Sequence, residues 1–350
     1  MSVSRLAASG AVRPREEPEE RTLARTQIRT DSREVSPAAM HLVRASSRNG
    51  AGASGPRPRA AGAASQASHP SPATVEKRLD AFRRAFAGPY AVDGERAFID
   101  PHFRMNGGYG TNPGDALKRA RAALPPKVLA KLQGALLLTA TGKATPQVLV
   151  RVTQALIDAG AHHEFGRGEG AVRKMMWAYG IGVDCSGYCR QAFMATRGVS
   201  DRGAATRYGL GRNIDGFDPD QLPRFRKVSP LMVRAGDVGK LGLGRENHKV
   251  IVVSHDVVPA GRGTSEVPGR GTLPESFHRG GRVHLFQVDS SWGAGPNGSA
   301  HGGVGRRVWV YSEASGLWGS YHAVSGKLET SKLGPYGYEL NGFFRPRMED

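Results

Sequence analysis

Residues 182–193 read GVDCSGYCRQAF and contain both cysteines of the 350-residue chain, Cys185 and Cys189. The stretch is also where the periodicity of the chain changes. Upstream, apolar residues recur at helical spacing; downstream, one helix starting after Asp184 gives way to short alternating runs. A helix followed by a mostly antiparallel sheet defines an α+β arrangement.

Four readings of the two cysteines compete. A Cys185–Cys189 disulfide is poor geometry, because residues four apart on a helix sit one turn apart with nearly parallel Cβ vectors. A structural zinc site needs more Cys or His at short spacing; His162-His163-Glu164 lacks the i,i+4 pair of histidines, so metal binding is set aside and no cofactor is expected. Core packing suits Cys189, which shares a helix face with Ala192, Phe193 and Thr196. Cys185 differs in standing at the helix start. There, unpaired N–H groups and the positive dipole end can lower a thiol pKa from about 8.5 into roughly the 3.5–7.5 range. Asp184 is placed to cap this helix, although its charge opposes a thiolate. Gly187, one turn in, leaves room for the backbone of a substrate to approach.

A thiolate nucleophile requires a base, and the base an orienting partner. His248 opens the run HKVIVVSH, where alternation puts His248, Val250 and Val252 on one strand face and Lys249, Ile251 and Val253 on the other. His255 is a weaker candidate. In RVHLFQVDSSW, residues 282–292, Asp289 ends a face shared by Val283, Leu285 and Gln287. It is placed either to fix the histidine tautomer or to cap the turn into SSWGAG, with Gln287 in reserve.

Residues 1–70 are rich in Ala, Gly, Ser, Pro and Arg, and no Phe, Trp or Tyr precedes Phe82. Such a segment buries too little apolar surface to offset its ordering entropy, so it is expected to be a disordered tail. Its eleven Arg and six acidic residues leave 13 of the 18 surplus positive charges on the remainder of the chain. The segment 71–170 reads as a helical region with three or four helices reaching to about residue 180, three of them announced by Ser71-Pro72, Asn112-Pro113 and Thr145-Pro146. Val75, Leu79, Phe82 and Phe86 follow the first start, and Val148, Leu149, Val152, Ala155 and Leu156 the third. The stretch 91–112 reads as a long loop or short hairpin. Residues 171–350 form the helix-and-sheet unit, with strands expected at KVIVVSHDVV, RVHLFQVDSSW, RRVWVYSEA and YELNGFFRPR and a long loop over Pro259–Arg282.

In this order of motifs, DCSGYCRQAF resembles the signature of NlpC-type cell-wall peptidases and their CHAP relatives, in the papain-like superfamily. AGDVGKL followed by NHKVIVV resembles that family's turn and histidine strand. The resemblance implies a papain-like catalytic domain with Cys185 as nucleophile, His248 as general base and Asp289 as third member. The main-chain N–H of Cys185 would belong to the oxyanion hole, and Asp184, Ser186, Gly187 and Tyr179 would line the site. It further implies amide hydrolysis through an acyl-enzyme in the peptide part of peptidoglycan. The unusual Cys189, the long interval between His248 and Asp289, and the missing signal peptide depart from the family pattern.

A net charge of +18 favours anionic partners such as wall polymer. Nucleic acid is disfavoured, because the Arg-rich tail offers no aromatic stacking platform. The N-terminus has no apolar core of a Sec signal and no stretch is long enough to span a bilayer, so a cytoplasmic, bacterial origin with a non-Sec or injection route is expected. Two rival functions remain: an injected effector using the same Cys–His site on a host protein, and a non-enzymatic basic binding protein.

Overall fold

The Ser-Pro and Thr-Pro starts behave as capping chemistry requires. In the computed structural model, Ser71 and Thr145 each accept a hydrogen bond from the N–H three residues on, at 3.3 and 3.2 Å, and proline occupies the first turn. The structure describes residues 70–104, 113–211, 217–242, 247–258, 266–267, 271–278, 281–293, 302–321, 327–330, 333 and 339–349. The tail expected over 1–70, apart from Pro70, and Asn112 and much of the Pro259–Arg282 loop lie outside these residues.

Helix α1 (Pro72–Ala85) is followed by strands β1 (Tyr90–Val92), β2 (Glu95–Ala97) and β3 (His102–Phe103). Next come α2 (Pro113–Ala123), α3 (Pro126–Ala140), α4 (Pro146–Asp158) and α5 (Gly168–Ala178). Among the described residues this makes five helices where three or four are expected. The extra break falls at Leu124-Pro125-Pro126: Pro126 begins α3 without any side-chain cap, so the start lacks the polar signal used to find the others. β1 and β2 pair as a hairpin through Asp93-Gly94, resolving the ambiguous stretch after residue 90.

Strand β4 (Gly182–Val183) leads into α6 (Cys185–Arg197) and α7 (Asp201–Tyr208). The rest is dominated by strands: β5 (Phe225–Val228), β6 (Val238–Leu241), β7 (His248–Val258), β8 (Glu266–Val267), β9 (Gly271–Thr272), then the short α8 (Glu275–His278), β10 (Val283–Trp292), β11 (Gly303–Ser312), β12 (Trp318–Tyr321), β13 (Leu328–Thr330) and β14 (Leu340–Pro346). Eight of these form one antiparallel sheet in the order β13-β12-β11-β10-β7-β6-β14-β5. The protein is thus α+β, with α6 laid on a large antiparallel sheet. All four strands expected from alternation are present; β5, β6, β12 and β13, of three or four residues each, were too short to show a period.

The two faces of the sheet belong to different apolar clusters. On one, Ile251, Val253, Val238 and Phe344 join Cys189, Ala192 and Phe193 of α6, Val75 and Leu79 of α1, and Leu149, Val152 and Leu156 of α4. This core takes residues from both sides of the 170/171 boundary expected from composition. On the other face, Val250, Val252, Phe286, Val288, Trp292, Trp309 and Phe343 pack together. Polar groups lie along the latter face too. His255 Nδ1 meets the Val233 carbonyl at 2.6 Å, His255 Nε2 meets His284 Nδ1 at 2.7 Å, and His284 Nε2 meets Glu313 Oε1 at 2.6 Å.

Candidate active site

The residue before α6 is fixed from several directions. Asp184 caps the helix, its Oδ1 accepting the Gly187 N–H at 2.6 Å while Oδ2 pairs with Lys143. Its own N–H donates to the Gly142 carbonyl at 3.0 Å, and Ser291 Oγ donates to the Val183 carbonyl at 2.6 Å. Gly187 is required by this packing. A Cβ there would stand 2.3 Å from the Gly142 oxygen, and a Cβ on Gly142, whose φ is +75°, would stand 2.2 Å from the Arg104 carbonyl. The room expected at Gly187 for a substrate backbone is therefore taken by the chain's own 142–143 turn.

Cys185 sits at the first position of α6, 7% exposed and unoxidised. The main-chain N–H of Lys249 donates to its sulfur, and the ammonium groups of Lys249 and Lys143 are near enough to stabilise a thiolate. Burial opposes them and is the largest influence; with the Asp184 carboxylate it pushes the Cys185 thiol up, so the resting group is protonated. Inside the helix the N–H groups of Cys185 and Ser186 have no acceptor, as for any first turn. Cys189, one turn deeper, is fully buried, its thiol pushed well up by burial and in contact with the Ser290 hydroxyl. This is the packing role expected for it.

His248 takes the strand position expected but points away from α6. The helix packs on the face of β7 that carries Lys249, Ile251 and Val253, whereas His248 accompanies Val250 and Val252 on the other. Its ring lies against Trp292, centroids 4.6 Å apart, and Arg307 covers the same indole at 4.8 Å. Nε2 is buried without a hydrogen-bond partner among the described residues. Burial first, then the charges of Lys249 and Arg307, push His248 down to about 3, which keeps it neutral at physiological pH.

Asp289 does face the α6 side, but its carboxylate is used elsewhere. Arg306 holds it through Nε at 2.8 Å and Nη2 at 3.0 Å, reaches Gln287 Oε1 at 3.3 Å, and ties both to Asp80 of α1 at 2.7 Å. Burial raises the Asp289 carboxyl and Arg306 works against that rise. Tyr179 closes α5 beneath the guanidinium of Arg119, 5.1 Å from the ring centroid. Cys185, His248 and Asp289 are thus not brought together as a triad in this conformation.

What accompanies Cys185 instead is a set of polar groups on the Lys249 face. Lys249 Nζ donates to Ser186 Oγ at 3.3 Å and to Asn247 Oδ1, and lies 3.9 Å from Asp218 Oδ1. The Lys249 carbonyl in turn accepts from Ser290 Oγ at 2.6 Å. Lys249 was legible in principle, as a lysine in phase with Ile251 and Val253. Lys143, 42 residues before Cys185, carried no such signal.

No family model matches the chain, and no curated protein or solved structure matches it. Among the described residues, no helix is long and apolar enough to cross a membrane.

Proposed function

We propose that the chain is a cysteine hydrolase that cleaves amide bonds through an acyl-enzyme on Cys185, in a papain-like catalytic unit of NlpC or CHAP type. The observation that carries this reading is the position of Cys185 at the first turn of a helix laid on an antiparallel sheet, its sulfur accepting the Lys249 N–H beside two ammonium groups. The DCSG motif and the helix-then-sheet order support it further. With His248 on the opposite face, Lys249 is the side chain placed to handle protons. Its ammonium hands a proton on toward the leaving nitrogen and recovers one from the thiol as sulfur adds to the carbonyl carbon. The C–N bond breaks, and water then releases the acyl group. The first-turn N–H groups of α6 would hold the oxyanion. The peptide part of peptidoglycan is the substrate class that fits both the motif and the net charge of +18; a host protein attacked by an injected effector is the same chemistry on another substrate.

A second reading, a non-enzymatic basic binding protein, is favoured by the burial of Cys185 and its raised thiol. Digestion of purified sacculi by wild type, Cys185→Ala, Lys249→Met and His248→Ala, with fragments identified by mass, separates the readings. Release of muropeptides that is abolished by Cys185→Ala, lowered at least about 100-fold by Lys249→Met and retained by His248→Ala supports the proposal. Activity lost with His248→Ala but retained by Lys249→Met would return the base to His248. Fragments from wild type and Cys185→Ala alike would remove the enzyme reading, and deamidated host glutamine without muropeptide release would move the substrate to a protein.

A further inference from the structure

The β1–β2 hairpin, the short 3₁₀ turn over Ala161–Phe165 and the start of α5 meet at a cluster that the cysteine chemistry does not use. His162 and His163 both aim Nε2 at Asp93 Oδ1, at 3.1 and 3.3 Å. The three donor atoms all lie within 4.8 Å of one another. Asp93 is held from behind, its Oδ2 accepting the Gly168 N–H at 2.9 Å, so that Oδ1 is turned toward the two rings. Glu164, the neighbour that sequence spacing offers as a third ligand, instead pairs with Arg119.

We propose that Asp93, His162 and His163 form a binding site for a divalent first-row transition metal, of which zinc is the best match. Two imidazole nitrogens and one carboxylate oxygen are the donor set such ions take when a fourth position stays open. The spacing fits. With metal–ligand bonds of about 2.0–2.2 Å, a tetrahedral site separates neighbouring donors by about 3.3–3.5 Å. The measured 3.1 and 3.3 Å lie close to that edge. They are long for charge-assisted hydrogen bonds, which run about 2.7–2.9 Å. A metal would use the ring lone pairs of both histidines together with Oδ1. The Gly168 N–H is the outer support that ligating carboxylates receive in such sites. His162 is buried while the His163 ring is 59% exposed, so an ion would have a path from solvent and would tie the hairpin to the start of α5.

Equilibrium dialysis of the full chain against zinc chloride, with elemental analysis, tests this, together with the absorption of the cobalt(II)-loaded protein. One zinc per chain is expected. His163→Ala, whose exposed ring is not needed for packing, and Asp93→Asn should each weaken binding by at least about tenfold. Cobalt should show visible ligand-field bands without a thiolate charge-transfer band. Failure of wild type to bind stoichiometric zinc, unchanged affinity in both variants, or a cobalt–thiolate band placing the ion at the cysteines would each overturn the assignment. None of these readouts depends on the activity of Cys185.

Discussion

On the face of β7 that meets α6, charged groups come in satisfied sets: Asp184 with Lys143, Asp289 with Arg306 and Asp80, Lys249 with Ser186 and Asn247. On the opposite face His248 and Arg307 lie against Trp292, with His248 Nε2 and Arg307 Nε lacking partners among the described residues. The two faces are separated by one step of strand alternation. That step decides which side chain meets the cysteine, because a strand offers successive residues to opposite sides. Around the cysteine the first face adds ion pairs and hydrogen bonds to its apolar core, while the second stacks aromatic rings beside the His255–His284–Glu313 row.

The largest difference between the faces should appear on removing their arginines. Arg306→Ala strands the fully buried Asp289 carboxylate and should destabilise the protein by about 3–5 kcal/mol, whereas Arg307→Ala loses a cation–π contact and should cost about 0.5–2 kcal/mol. Urea unfolding of the two variants checks the ranking, and equal losses would break the comparison. A smaller contrast concerns glycines. Gly187→Ala drives a Cβ into the Gly142 carbonyl at 2.3 Å and should cost about 1–3 kcal/mol. Gly239→Ala on the other face meets the Val250 Cγ2 methyl at 2.7 Å, and a side chain yields more readily than backbone, so its midpoint should fall less.

The last contrast is in pH and is spread over several units rather than lost in one step. His248 is held at about 3 against an ordinary 6.5, so between these values the unfolded chain binds a proton that the folded one refuses. Its contribution is fully present above about pH 6.5 and is lost as the pH falls, by about 1.4 kcal/mol per unit, down to about pH 3. His248→Leu should flatten the stability curve over that window, measured by melting between pH 4 and 7 (chosen, roughly, to stay clear of acid unfolding). An unchanged slope would mean that the ring is not sealed behind Trp292.

Much of the fold could be read from pattern. The caps at Ser71 and Thr145, the helix starting at Cys185 and the strands around Val250, Val288 and Phe343 each carry a local signal of period or capping. The site was legible in part. Cys185 is marked by its place at a helix start, and the division of β7 into a His248 face and a Lys249 face follows from alternation. Which face the helix would cover does not, because Val250 and Val252 are as apolar as Ile251 and Val253. The partner of Asp289 was hidden for a similar reason: Arg306 is 17 residues away and meets it only once β10 and β11 pair. Asp93 and His162, 69 residues apart, share no spacing rule at all.

The chain of contacts from Val233 through His255 and His284 to Glu313 has its own arithmetic of protons. A carbonyl at one end and a carboxylate at the other can only accept, so the three links between them require three hydrogens on two rings. Two neutral imidazoles supply two. Burial lowers His255, which therefore stays neutral, donating from Nδ1 and accepting at Nε2. The third hydrogen must be one further proton taken up within the row, whose far end, Glu313, is held low by its bond to His284. The row of two rings is thus a continuous polar seam holding one proton more than two neutral imidazoles, inside a sheet face otherwise given over to Phe286, Trp318 and Phe343.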